Sequence, residues 1–296
     1  MRTATASVQP FAIKTRTARD KVRLIGNNFL TIICIVLSFL TLIPLFSIVY
    51  LVVQNGLPLL RPNVFTDLPP APGVEGGGFG NAIQGTLLMV LLSLAIATPL
   101  GIFSAVYICE YNRKARLSGA VRFVAKLLTG IPSIICGVFA YAVVVETTGS
   151  FSALAGGVAL AVLALPTILL TAEQALLGVP HALREASYGL GATKFQTIFR
   201  VILPEALPAI MTGIMLAVAR AAGETAPVLF TALFSQYWLQ SLMQPAASLS
   251  VLIYNFSTLP YAHQIQMAWT ASLVLVALVT LTNITAQVVF SKRKGR

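Results

Sequence analysis

Glu185-Ala186-Ser187-Tyr188-Gly189-Leu190-Gly191-Ala192-Thr193-Lys194-Phe195-Gln196-Thr197-Ile198-Phe199-Arg200-Val201-Ile202-Leu203-Pro204 is a polar island between two long apolar runs. It reads as a short helix, a stop and a restart. Pro180, just before it, has no N–H to lose and a φ already set for a first helical turn. Over 181–190 only Gly189 interrupts a helix. Ala182, Ala186 and Ser187 are small, so another protein's surface can approach that face closely. Gly191 suits the left-handed residue that ends a helix, and Pro204 suits the start of the next. An ordinary amphipathic connector is the plain alternative, but it does not need this spacing.

The flanking runs set the class. Apolar residues make up 57% of the chain and charged residues 10%, with a mean hydropathy of +0.85; a soluble domain carries about 25% charge. A helix crosses the hydrocarbon layer with about 20 apolar residues. Six segments qualify: 29–53, 84–108, 121–145, 151–177, 206–234 and 268–290. The runs are continuous rather than alternating, which selects helices over a barrel. The expected fold is therefore all-α and polytopic, with kinks at Pro44, Pro99, Pro132, Pro166 and Pro227.

The formal net charge of +11 invites a nucleic-acid reading, but no basic stripe with interleaved aromatics is present. The basic residues instead sort to one side of a membrane. Arg2, Lys14, Arg16, Arg19, Lys21 and Arg23 precede the first span; Arg113, Lys114, Arg116, Arg122 and Lys126 join the second to the third. Arg184, Lys194 and Arg200 join the fourth to the fifth, and Lys292, Arg293, Lys294 and Arg296 follow the last. Of the 20 Lys and Arg residues only Arg61 and Arg220 fall elsewhere. Positive charge stays in the cytoplasm, so both termini and the polar island are expected there.

The expected organisation is a cytoplasmic basic tail (1–28), a first transmembrane helix (29–53), a periplasmic loop (54–83), a five-helix core (84–290) carrying the cytoplasmic loop 178–204, and a tail (291–296). The first 23 residues imitate a transit peptide, with Asp20 their single acid, but read as a disordered tail. The 29–53 run is too long for a signal-peptide core and should stay as an anchor. Loop 54–83 carries Glu75-Gly76-Gly77-Gly78, a linker or a tight turn into the second span. Segment 235–267 carries Tyr237, Trp238, Tyr254, Phe256 and Tyr261, which fit an interfacial belt or a landing surface for an external partner. Cys34, Cys109 and Cys136 lack metal-ligand spacing and read as small hydrophobes.

Glu185-Ala186-Ser187, Gly191 and Val201-Ile202-Leu203-Pro204 resemble, in residue type and spacing, the EAA loop of ABC importer permeases. Further stretches narrow the likeness: Asn81-Ala82-Ile83, Gly85-Thr86, Thr98-Pro99-Leu100-Gly101, Tyr107-Ile108-Cys109-Glu110-Tyr111, Ile131-Pro132-Ser133-Ile134-Ile135 and, sharpest, Ala219-Arg220-Ala221-Ala222-Gly223-Glu224-Thr225-Ala226-Pro227. Together they look like the A-type permeases of bacterial phosphate-specific ABC transporters, over roughly residues 56–290. The resemblance implies a MetI-like type I importer permease with six transmembrane helices in the bacterial inner membrane. It implies a C-type second permease, an ATPase dimer docked on the EAA loop and a periplasmic phosphate-binding protein as partners. Glu185, Ala186, Ser187 and Gly191 would then couple to the ATPase. The chain itself carries no Gly-x-x-x-x-Gly-Lys-Ser/Thr loop. ATP would be used by the partner, and no cofactor, metal or nucleic acid is expected on this chain. One departure stands out: relatives commonly carry an arginine where this chain has Leu170. That weakens a pathway with two basic residues from this subunit, and favours slightly another oxyanion such as sulfate, molybdate or phosphonate.

Arg220 and Glu224, four residues apart in an apolar run, should share a helix face. An unpaired charge at that depth costs at least about 2.5–3.5 kcal/mol, so the two should face the bundle interior and pair. Two readings stay open. Arg220 can offer guanidinium donors to a crossing oxyanion while Glu224 keeps the anion from binding too tightly, or the pair can be static and fix packing. Thr225 and Ser133 are hydroxyl candidates for the same route, although such groups often bond their own backbone. Glu110, Glu146 and Glu173 lie near span ends and read as hydrated boundary residues. No nucleophile–base set is visible, so no covalent catalysis is expected. An ATPase-independent secondary transporter remains the rival from another class.

Overall fold

The computed structural model describes residues 18–112 and 115–291, and every regular element among them is helical. Arg2, Lys14, Arg16, Arg113, Lys114, Lys292, Arg293, Lys294 and Arg296 lie outside the described residues, as do the tails 1–17 and 292–296. Two units are present, one ending at Leu51 and one beginning at Val52. The first is helix α1, Ala18–Gly56, which contains Pro44 and runs on into the start of the second unit. The segment 18–28, expected as tail, is helical. Its Ala, Arg, Lys and Leu residues favour helix, against Gly26 and the weaker helix formers Asp20, Asn27 and Asn28.

The second unit begins with the last turn of α1 and a short α2 (Asn63–Thr66). Helix α3 (Gly80–Val106) continues into a π-helical turn, Tyr107–Tyr111. Next come α4 (Arg116–Gly130), α5 (Ser133–Ala140), a second π turn (Tyr141–Val145) and α6 (Glu146–Thr148). Helix α7 (Ala153–Leu177) leads to α8 (His181–Gly189) and α9 (Lys194–Thr197). A third π turn, Ile198–Ile202, feeds α10 (Leu203–Gly223), followed by α11 (Ala226–Leu229), α12 (Leu249–Ser257) and α13 (Ala262–Ser291). Among the described residues five helical runs are long and apolar enough to cross a membrane, and six if α4 and α5–α6 form one broken span.

Helix α7 is the hub, packed against α3, α10, α4 and α5, while α13 packs on α10 and α12. The core is apolar and fully buried at Met89, Leu160, Ile168, Ile198, Ile202 and Ile210. Small residues set the helix spacing, as expected where lipid removes the hydrophobic drive between helices. A Cβ on Gly213 of α10 would come within 2.5 Å of Thr171 Cβ on α7 and overlap its hydroxyl. Gly213→Val is accordingly expected to lower stability by about 1–3 kcal/mol, as overpacking does. The thermal midpoint of the purified protein in detergent checks this.

Three expectations change. The third span is not one helix over 121–145, because α4 meets α5 at 109°. Pro132 cannot donate and pushes Ile131 out of the helical region; Ile131 is extended at φ −74°, ψ 136°. The fifth span does not reach 234. It ends at Gly223, where Glu224 turns extended (ψ 127°), and Pro227 starts the separate α11. Segment 235–267 is no simple loop, since it contains α12 with Leu249, Val251 and Leu252 fully buried. Asn81 and Gln84 at the start of α3 hold the backbone ahead of α12: Asn81 Nδ2 donates to the Ser235 carbonyl (2.9 Å), and Gln84 exchanges two hydrogen bonds with Leu239. The glycine run is a packed turn rather than a linker, with Gly78 N–H bonded to Leu68 O at 3.0 Å and Gly76 and Gly77 at positive φ.

Candidate functional site

Two regions gather the residues singled out from sequence. The first is loop 178–204. Helix α8 is closed by Gly191 at φ 80°, with Gly191 N–H bonded to Tyr188 O and Ala192 N–H to Ser187 O. This paired arrangement satisfies the last carbonyls and needs a residue free of Cβ strain. Thr193 then caps α9 in a reciprocal capping box with Gln196. Glu185 and Ala186 are exposed, and beside them stand Leu183, Tyr188 and Phe195, with Leu190 90% exposed. A Cβ on Gly191 would meet nothing within 4 Å. Ser187 behaves differently from its expected place on an approachable face. It is buried, and its hydroxyl shares a 2.9 Å hydrogen bond with Thr197, tying α8 to α9.

Beneath this loop lie two ion pairs that sequence reasoning missed. Arg184 Nη1 is 2.9 Å from Glu110 Oε1, and Arg184 Nη2 donates to the Leu176 carbonyl at 2.7 Å. Arg122 Nε donates to Glu173 Oε1 at 2.5 Å and its Nη2 to the Ile108 carbonyl at 3.2 Å. Glu110 and Glu173 are therefore not hydrated boundary residues. Their side chains are nearly buried, and each is paired with an arginine. Glu146 is exposed. The signal available was their small number: nine acids in 296 residues, three of them near the ends of apolar runs.

The second region is the α10–α11 junction. Arg220 sits in the last turn of α10 rather than within a continuing helix. Glu224 follows on extended backbone, so the two do not share a helix face, yet Arg220 Nε still lies 3.5 Å from Glu224 Oε1. Arg220 is 39% exposed along its side chain, and among the described residues its two terminal amino groups have no protein partner. Ser250 of α12 donates to the Glu224 carbonyl at 2.8 Å, fixing the junction. Helix α5 meets α11 so closely that a Cβ on Gly137 would stand 2.7 Å from Pro227 Cα. Ser133 lies one turn before Gly137, on the same side of α5. Among the described residues the hydroxyls of Ser133 and Thr225 have no partner, whereas those of Thr86, Ser93 and Thr171 bond their own helices.

A cavity of about 1290 Å³ opens between α7 and α10 near loop 178–204. Leu170, Thr171, Gln174 and Glu205 line it, with no Lys or Arg in the wall.

A broken third span, a five-helix core and an exposed helix between its fourth and fifth spans define a permease subunit of a multi-component importer. Residues 97–295 match the family described as binding-protein-dependent transport system inner membrane component. The chain is 41% identical to the phosphate transport system permease protein PstA of Yersinia pestis, over 88% of this chain and 90% of that one. It is 34% identical to PstA 1 of Mycobacterium tuberculosis, covering 95% and 93%. The fold resembles a subunit in the inward-facing MetNI methionine ABC transporter, at TM-score 0.59 and 25% identity over 72% of this chain and 93% of that one. It also resembles a subunit of a bacterial alginate ABC transporter, at 0.64 and 16% over 89% and 94%, which speaks for the fold alone. The chain belongs to the ABC importer permeases of the MetI-like fold, in the PstA family, and is a multi-pass membrane protein.

Proposed function

We propose that this chain is one half of the membrane pathway of an ATP-driven importer of inorganic phosphate. It pairs with a C-type permease in the bacterial inner membrane, with both termini in the cytoplasm. A periplasmic binding protein delivers phosphate, and an ATPase dimer docks on α8. The chain binds no cofactor and performs no catalysis; ATP is consumed by the partner. The exposed apolar cluster around Ala186 gives that dimer a surface of small and hydrophobic residues, with Glu185 at its edge to accept hydrogen bonds.

The observation that carries the cargo reading is the Arg220 guanidinium, loosely held by Glu224 with its amino groups open. Those donors fit an oxyanion bidentately, and the nearby carboxylate keeps residence short. Thr225 and Ser133 offer free hydroxyls from facing elements. At the other end, the cavity wall bearing Leu170 and Glu205 offers an anion no positive charge, which favours release. ATP-driven closure of the dimer pushes α8, turns α7 and α10, and opens the pathway outward; hydrolysis reverses the turn.

Reconstitution of the permease pair, ATPase and binding protein in liposomes tests this, with ATP hydrolysis rising on phosphate addition as the expected result. Leu170 in place of a basic residue favours a second reading, transport of another oxyanion. Uptake of labelled phosphate in competition with sulfate, molybdate and phosphonate separates the two; only unlabelled phosphate should compete at equal concentration.

A further inference from the structure

Four charged side chains behind loop 178–204 are joined in pairs, the two carboxylates nearly buried and the two arginines partly so, and the transport route proposed above uses none of them. Arg184 turns inward from α8 and binds two elements at once: Glu110 in the π turn that ends α3, and the Leu176 carbonyl in the last turn of α7. Arg122 of α4 binds Glu173 of α7 and the Ile108 carbonyl of the same π turn. Lys194 of α9 places its ammonium 4.7 Å from the centre of the Tyr111 ring, at the end of that turn. The turn Tyr107–Tyr111 is thus gripped from α8, α9 and α4.

Stability does not explain such an arrangement. Removing two charges from water costs several kcal/mol per ion, and a well-packed apolar pair commonly serves as well or better. The hydrogen bonds from Arg184 to the Leu176 carbonyl and from Arg122 to Glu173 and the Ile108 carbonyl are directional and hold one geometry, while apolar faces slip; Arg184 and Glu110 are joined by charge at 2.9 Å, without hydrogen-bond geometry. A π turn is itself a weak point in a helix, frequent at functional sites, and is suited to taking up a displacement delivered to it.

We propose that Arg184 is a positioning residue that carries the movement of α8 into α3 and α7. A push on α8 is delivered by the guanidinium to the Tyr107–Tyr111 turn through Glu110 and to the end of α7 through the Leu176 carbonyl. Arg122 and Glu173 make α4 follow α7. This rests on α8 being the ATPase dock, and assigns the step by which docking becomes motion.

The test uses the complete complex in liposomes, reading ATPase co-purification, ATP hydrolysis and phosphate taken up per ATP. Arg184→Gln should retain the ATPase and its hydrolysis, while phosphate moved per ATP falls on the order of tenfold. Glu110→Gln, a nearly buried change behind the docking face, should give a smaller fall, because Arg184 keeps its bond to the Leu176 carbonyl. The double variant should lose no more than Arg184→Gln alone, because that change already removes the Glu110 link. Unchanged phosphate per ATP in Arg184→Gln would overturn the proposal. So would loss of ATPase co-purification in that variant, which would make Arg184 a support of the docking helix alone. If the unaltered complex failed to bind the ATPase, the function reading itself would fall instead.

Discussion

Ala186→Glu is expected to abolish phosphate uptake and release the ATPase, while the protein still inserts and assembles with its second permease. Ala186 is exposed on α8, so glutamate there disturbs nothing inside the chain. The damage arises only when a partner covers the helix and buries an unpaired charge. A stranded buried charge costs about 3–5 kcal/mol, which weakens docking by a hundredfold or more. Gly191→Asp extends the test. The added side chain meets open space within the chain, but the positive φ strains any L-residue. Gly191→Ala shares the strain without the charge. ATPase co-purification should therefore fall further in Asp than in Ala. Equal retention of the ATPase by all three variants would remove α8 from the interface.

The second large effect is expected from Arg220→Gln. Glutamine keeps some hydrogen-bonding capacity and loses the charge, so a phosphate contact made by the guanidinium weakens by about 1.5–3 kcal/mol. Uptake at low phosphate should fall by tenfold or more, with assembly and ATPase binding intact. Glu224→Gln separates the two readings of the pair. If Glu224 tempers the site, its removal should raise phosphate affinity and slow turnover. If the pair only fixes packing, both variants should lower complex yield together and leave transport per assembled complex unchanged.

The fold was largely legible because a membrane forces long apolar runs, and such runs are visible without tertiary knowledge. Helix α8 was legible too: Pro180 and Gly191 act locally, one through a missing N–H and one through a missing Cβ. What escaped was set by partners far along the chain. Glu110 and Arg184 are 74 residues apart, and nothing near either one specifies the other; each looked like a span end where water is close. The inward turn of Ser187 depends on Thr197 meeting it across the loop. The early end of α10 was written in Gly223 and Pro227, but the apolar residues that follow disguised it as continuing span. Helix α12 was hidden for a related reason: it is nine residues long, too short to announce itself as a span, and its burial depends on Thr86 of α3 accepting the Leu249 N–H.

The proposed function requires α8 to face the cytoplasm, where an ATPase works it. Glu185→Cys, in a chain whose Cys34, Cys109 and Cys136 are replaced, permits a direct measurement with a membrane-impermeant thiol reagent. Labelling is predicted in inverted membrane vesicles, reduced when the ATPase is bound, and absent from intact cells with a permeabilised outer membrane. Labelling from the external side of those cells would contradict the account.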